Sequence, residues 1–388
     1  MSVTASTSLS VLRFIEEITL GVTPASALTE VRQTANSLVR SQSYKTSGEI
    51  RSDRNIRDNI LVDMEPSGNF NFELSYSDFD KFMEGALFSA WSTAVNVTAA
   101  TDIAAVASGN QYTSTSTDFT TKNIVVGQWI KISGFATSAN NGIAKVVSVA
   151  ANALVVSGLT LVNESATPAI TMTGQRLRNG VTQKSYTLEN EFTDIVQFLS
   201  FTGMMVNNFT LDVKVGDVVT GSVGFMGTSS ARSTSTVGTG AAIAGSSNDI
   251  MNGVSDVSNI LENGTLLSTG GVYVLSTSID VNNGLKGQKA VGTLGNVGLL
   301  TGRANVTGKL EVYFKNGSLY DKLINDTSTS LSFRITDGTN TYVVTLPKLK
   351  FNGGDPTVSG VDANVILPLG FQALYDTTTA CTIQIDRL

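Results

Sequence analysis

Polar and apolar residues alternate with a period of two along most of this chain. In GNFNFELSY, Phe70, Phe72, Leu74 and Tyr76 alternate with Asn69, Asn71, Glu73 and Ser75, which predicts a strand with one buried face. In FTLDVKVGDVVTGSVGFMG, Phe209, Leu211 and Val213 alternate with Thr210, Asp212 and Lys214 up to a turn at Gly216-Asp217. The return strand sets Val219, Val223 and Phe225 against a face of small neutral residues, Thr220, Ser222 and Gly224. A strand beginning near Ser185 precedes this hairpin. After it, GVYVLSTSIDVNN, NVTGKLEVYFK, LSFRITD, TYVVTLPKLKF, VILPLGFQALYD and CTIQIDRL read as successive strands, with a short helical turn only near Tyr320. So many strands with one apolar face each predict a mainly β fold, a sandwich or barrel.

One segment breaks the period. SDFDKFMEGALFSAW, residues 77–91, predicts a helix: Ser77 is placed to cap it, and Asp78 and Asp80 fall in the first turn. Phe79, Phe82, Met83, Ala86, Leu87 and Ala90 form its apolar face up to Trp91, so it is expected to buttress a sheet. Upstream, Glu30 to Arg57 is polar and mixed in charge, which suits an extended strand leading into a long exposed loop. Residues 93–173 shift to Ala, Thr, Ser and Val, with short strand-like runs between Gly and Asn turns. This pattern predicts a small antiparallel β-barrel inserted into a discontinuous main domain, 1–92 plus 174–388. Met226 to Asn252 is rich in Gly, Ser, Thr and Ala and is expected to be a flexible loop that orders on assembly.

Composition narrows the function. Across 388 residues only 15% are charged, Gly is 36 against Pro 6, and the net charge is −6, which argues against a tight nucleic-acid reader. With His 0 and Cys 1, there is no Ser/His/Asp or Cys/His catalytic group, no imidazole ligand and no cysteine metal site. No catalytic residue, metal or cofactor is expected. The opening lacks the charge and apolar run of a secretory signal, and no uninterrupted apolar stretch is long enough for a transmembrane helix, so no membrane insertion is expected. Glu189, Glu191 and Asp194 read better as a solvated edge than as a calcium site, and Asp78, Asp80 and Glu84 better as helix-opening charges than as catalytic carboxylates. Trp91 and Trp129 read as packed residues.

Several blocks in order carry a family resemblance: ITLGVTP, SGEIRSDRNIRDNILV, GNFNFELSYSDFDKFMEGALFSAW, YTLENEFTDIVQFLSFTGMMVNNFTLDVKVGDVVTGSVGFMG and GTNTYVVTLPKLKFNGGDPTVSGVDANVILPLGFQALYD. Together they resemble the tail tube (major tail) proteins of long, non-contractile-tailed bacteriophages. That resemblance implies a β-sandwich with a flanking helix, six copies closing into a ring, and rings stacked into the conduit for DNA ejection. It also implies partners: the chain itself, a tail tip or initiator, a tape measure and a tail terminator, with DNA passing through the lumen without specific binding. The location implied is the virion tail, after synthesis in the host cytoplasm. Under it, Arg51, Asp53, Arg54, Arg57 and Asp58 form the loop that contacts a neighbouring subunit or ring. The hairpin of Asp212, Asp217, Thr220, Ser222 and Gly224 contributes to the lumen wall, while Phe79, Phe82, Met83, Leu87 and Trp91 belong to the buttressing helix. The insertion is expected on the tube exterior. The competing classes are a surface-exposed β-module adhesin and an outer-membrane β-barrel, both of which require export.

Overall fold

A computed structural model describes residues 4–166, 169–358 and 360–388. Thr167 and Pro168 of the expected insertion, and Ser359 of the last resemblance block, lie outside the described residues. The first layer is an antiparallel sheet in which neighbouring strands run Asn59–Glu73, Thr220–Met226, Gln197–Lys214, Val274–Asn282, Asn305–Tyr313 and Ile366–Ala373. The alternation read from the sequence is realised: Phe70, Phe72, Phe209, Leu211, Val223, Phe225, Ile279, Val281 and Phe371 are all buried on one face. The 18-residue strand Gln197–Lys214 serves two neighbourhoods. Its second half belongs to this layer, and its first half pairs with Ser185–Phe192 and Ser229–Ser233.

The second layer holds Thr329–Thr336, Thr341–Gly353, Gln384–Arg387 and Gln175–Arg178. Phe333, Ile335, Tyr342, Val344 and Ile385 point from it into the same core as the first layer. The end of Thr341–Gly353 crosses over to pair with Ile366–Ala373, so the layers are one connected sheet folded on itself, a sandwich.

Between them sits the helix, shorter than its sequence predicts. It spans Asp80–Ala86, with Phe79 at its N-cap and no side-chain cap. Ser77 adopts a left-handed backbone (φ 68), and its N–H donates to the Tyr342 hydroxyl. Asp78 stands outside the helix, Ala90 is exposed, and Trp91 lies beyond the end. Phe79, Phe82, Met83, Ala86 and Leu87 meet the core, Asp80 and Glu84 are buried against ion-pair partners, and Lys81 alone of the helix residues is exposed; the backbone turns left-handed at Phe88 (φ 45), which ends the helical run.

Residues 97–173, expected to be an inserted barrel, form a separate seven-stranded antiparallel sheet that is not closed into a barrel among the described residues. Val97–Ala100 is one edge and Ile103–Val106 the other. Only Thr101 and Asp102 separate these edges in the chain, so the sheet must roll to bring its ends together, yet no pairing closes it among the described residues. Its core, including Ile103, Tyr112, Ile130, Leu154 and Met172, is separate from that of the sandwich.

This rolled sheet covers the outer face of the second layer, which makes that layer buried on both sides. Val343 and Thr345 alternate with core-facing Tyr342 and Val344, and all four are buried. Trp129 of the insertion donates its indole N–H to Thr345 Oγ1 at 3.1 Å, and the Arg334 guanidinium lies over its ring at 5.2 Å. Trp129 is thus a packed residue, as its sequence context predicts. Gln384 donates to the carbonyl of Gly127 at 2.9 Å, and Arg178 to that of Val126 at 2.8 Å.

Asp386 is fully enclosed at this junction, where burial pushes its carboxyl up to about 8, against the opposing pull of the Gln384 amide, the Trp129 N–H and the charges of Arg178 and Arg176. The folded protein therefore holds a proton that the unfolded chain releases near pH 3.9, so this group's contribution to stability is full below that pH and is lost as pH rises through about 8. Asp386→Asn, which stays neutral, should melt progressively higher than the native chain as pH is raised from 5 to 8.5; parallel melting curves across that range would remove this assignment.

Candidate assembly surfaces

The outer face of the first layer is polar across six strands, and the register lines its residues into rows. One row runs Asn71, Ser222, Thr210, Asp280, Thr307, Gln372. The next runs Glu73, Thr220, Asp212, Ser278, Lys309, Gly370. A third runs Asn69, Gly224, Asn208, Asn282, Asn305. Gly224 leaves room for Asn208 Oδ1, which lies over it; a Cβ there would stand 2.0 Å away and would push that side chain aside. Ser222 accepts from the Asn69 amide at 3.2 Å. Partial burial pushes the Asp212 and Asp280 carboxyls upward, and the charge of Asp280 adds to the rise at Asp212.

Thr220, Ser222, Gly224 and Asp212, singled out in the sequence, thus share one face. Asp217 does not: it is exposed in the turn at the end of the hairpin. Sequence reading passed over Asp280, Thr307, Gln372 and the asparagines. Their alternation was visible within each strand, but the rows depend on pairing across strands far apart in the chain.

The charged loop stands on a projecting arm. Val39–Thr46 pairs with the first part of Asn59–Glu73, and every residue of Val39–Thr46 is exposed. The expected strand and loop are therefore a hairpin arm, with residues 47–58 at its tip. Arg51 pairs with Asp53 at 2.7 Å and holds that carboxyl down at about 2, and Arg57 pairs with Glu49 at 3.2 Å. Asp58 accepts from Asn59 N–H through its side chain and from Ser47 N–H through its carbonyl. Arg54, left-handed at φ 62, has no ion-pair partner among the described residues. Such exposed pairs contribute little to stability. The apolar side chains of the arm carry more information: Ile50 is 100% and Ile56 74% exposed, with Ile60 and Val62 about half exposed.

The helix holds these surfaces in place. Phe82 packs on Phe14, Phe70 and Phe225, and Phe79 stacks on Phe72 at 4.1 Å. Gly85 permits this approach, since a Cβ there would fall within 3 Å of Tyr186 and Val206. Burial pushes Asp80 upward against the pull of Tyr342 and Arg387, which both donate to it, and Arg387 also lies over Trp91 at 4.6 Å. Burial also raises Glu84, but the Trp91 N–H, Lys184 and Lys81 outweigh it and hold that carboxyl below its ordinary value.

The segment expected to be a flexible loop is a strand, Ser229–Ser233, followed by a pinned strap. Asp78 accepts from Ser246 N–H and Oγ, Glu189 accepts from Val237 N–H and Thr236 Oγ1, and Ile243 exchanges backbone bonds with Leu28 and Glu30. The three carboxylates weighed as a calcium site go to separate partners: Glu189 to this strap, Glu191 to Arg13, and Asp194 to Ser6 N–H.

The sequence profile of the family described as phage tail tube protein matches residues 7–373. No curated protein matches the chain.

Phe82→Ala should cost about 3–5 kcal/mol of unfolding free energy, because it empties the centre of the aromatic cluster. Arg54→Ala combined with Arg57→Ala should change it by less than about 1 kcal/mol. Denaturant titration of both variants checks the contrast.

Proposed function

The chain belongs to the phage tail tube protein family, and from that premise we propose that its copies close into rings of six that stack as the tail tube of a long, non-contractile phage tail, through which DNA leaves the virion. The observation that carries the reading is the predominantly polar face of the six-stranded layer, set back to back with a layer against whose outer side a second sheet packs. A conduit wall needs a surface that neither grips phosphates nor exposes apolar area. Glu73, Asp212, Asp280 and Glu311 outnumber Lys309 and Lys214 on this face, and most remaining positions are small or amide side chains, with Tyr313, Ile366 and Pro368 at one end. Such a surface does not supply the cationic contacts that hold a duplex.

With that face turned to the lumen, the insertion falls on the far side of the sandwich and hence on the tube exterior, as a unit of residues 93–173 carried by a main domain of 1–92 and 174–388. Val39–Thr46 pairs on one side only among the described residues, which leaves a strand edge that closure with a neighbour would satisfy. The tip, Arg51 to Asp58, reaches the adjoining subunit or ring. Stability of the assembly then comes from the number of repeated contacts, with no catalytic step. The role implies a tail-tip initiator, a tape measure and a terminator as partners, and synthesis in the host cytoplasm before incorporation into the virion. Among the described residues, no helix is long and apolar enough to cross a membrane.

Negative-stain electron microscopy of the purified protein over a range of concentrations, with sedimentation alongside, should show stacked rings or hollow tubes. Averaged cross-sections should place the polar sheet at the inner wall and the insertion at the rim. Globular monomers that persist even when seeded with tail-tip components would overturn the reading.

A further inference from the structure

The chain contains seven Asn–Gly steps, beginning at Asn141, Asn179, Asn252, Asn263, Asn283, Asn316 and Asn352. Glycine has no side chain to shield its amide nitrogen, so that nitrogen can approach the side-chain carbonyl carbon of the asparagine before it, and asparagine is accordingly among the thermally labile residues. Whether the two groups meet depends on what holds them. The fold treats the seven steps unequally.

Six are held. Asn141 accepts from Phe135 N–H at 3.0 Å and donates to the Phe135 and Thr137 carbonyls. Asn179 accepts from Thr382 N–H and Ile383 N–H, and Gly180 N–H is bonded to the Leu87 carbonyl. Asn252 donates to Asp256 and accepts from Val254 N–H and Ser255 N–H, with Gly253 N–H on the Asp217 carbonyl. Asn283 is buried and donates to the carbonyls of Ala86 and Val206. Asn316 accepts from Ser318 N–H and Oγ, which turns its carboxamide toward Ser318. Asn352–Gly353 ends the strand Thr341–Gly353, where Gly353 pairs with Gly370 and Asn352 Oδ1 lies beside that glycine.

Asn263 differs. With Gly264 it forms the two-residue turn between Val257–Glu262 and Thr265–Leu266; both residues are exposed and left-handed, at φ 50 and φ 75. The Asn263 N–H donates to the Ser330 carbonyl at 3.0 Å, which fixes the residue from its N-terminal side. Among the described residues, neither the Asn263 side-chain amide nor the Gly264 N–H has a hydrogen-bond partner, and nothing stands within 4 Å of where a Cβ on Gly264 would be. The ladder behind the turn is only two pairs, Leu261 with Leu266 and Glu262 with Thr265, so the turn can change shape at little cost.

We propose that Asn263–Gly264 is a self-modifying site, which converts without an enzyme to an aspartyl or isoaspartyl step in the folded protein. The Gly264 amide nitrogen gives its proton to solvent and attacks Asn263 Cγ. The bond from Cγ to the side-chain nitrogen breaks, and that nitrogen leaves as ammonia after taking a proton from water. Water then opens the five-membered imide at one of its two carbonyls to give aspartate, or at the other to give isoaspartate, in which the chain runs through Cγ. One water enters, one ammonia leaves, and nothing is oxidised or reduced. Both products place a carboxylate next to Glu262, whose own carboxylate is buried and already accepts from Lys322 and Thr329. The iso form also adds a backbone bond to a two-residue turn, which loosens a hairpin that pairs through Val257–Glu262 with Thr329–Thr336 of the second layer. The site needs nothing from a ring or tube, so it stands apart from the assembly reading.

Peptide mapping of the full chain after incubation at mildly alkaline pH, with fragments sequenced by mass spectrometry, tests it. Asn263 should gain about 1 Da, an NH2 replaced by an OH, in a fraction about tenfold or more above that at any other Asn–Gly step, because each of the others must first break a hydrogen bond or leave a ladder. A methyl-transfer assay specific for isoaspartate should label the same fragment. Asn263→Gln, whose longer side chain would have to close a six-membered ring, should lose that label. The same chain incubated in urea is the reference, since all seven steps are then free and should convert at comparable rates. Folded protein in which Asn263 converts no faster than the six held asparagines, or in which it converts only in urea, would overturn the proposal.

Discussion

The fold depends on the aromatic seam between the helix Asp80–Ala86 and the strand Asn59–Glu73. Phe70 and Phe72 project from the strand, Phe79 and Phe82 from the helix, and Phe14, Tyr186 and Phe225 close the cluster from three other strands. Each fully buried ring contributes roughly 1.5–3 kcal/mol through area alone, and the tilted and edge-on contacts add to it. The seam anchors the strand from which the arm extends.

A second constraint is that the second layer has no solvent-facing side. A strand buried on both faces cannot use plain alternation, and Thr341–Gly353 shows the consequence: Tyr342, Val343, Val344, Thr345 and Leu346 are consecutively buried. The polar groups among them need partners, and the insertion supplies these through Trp129 and the backbone around Gly127, while Arg178 and Gln384 join the two parts. Asp386 is the member of this junction with the poorest compensation: its Oδ1 has no hydrogen-bond partner, and protonation relieves the cost. A buried polar junction of this kind favours one docking geometry for the insertion.

The surfaces divide the same way. The polar face and the arm are both exposed, but one carries few apolar side chains and the other displays Ile50, Ile56, Ile60 and Val62. Within the tube reading, that difference separates the surface that must let a polymer slide from the surface that must hold a neighbour.

Much of this was legible in the residues themselves. Alternation in GNFNFELSY and FTLDVKVGDVVTGSVGFMG located the core faces, because side-chain direction in a strand repeats every two residues and is a local property. The absence of histidine and the near absence of cysteine removed whole classes of chemistry, and the ordered blocks pointed to the tail tube family. The helix length, the openness of the inserted sheet, the pinning of the strap around Ser246 and the isoleucines of the arm were not legible in the same way. The periodicity of 77–91 suggests a long helix, but Asp80 is held by Arg387, 307 residues away, and the backbone turns left-handed at Phe88. The Ala- and Thr-rich text of the insertion showed strands but not whether its first and last edges would bond. The rows across the polar face come from register between strands separated by up to hundreds of residues. Sequence thus determined which side of each strand is buried and which chemistry is absent. Only tertiary structure decided which strands lie side by side and which side chains share a face across them, because those depend on contacts that chain neighbours do not encode.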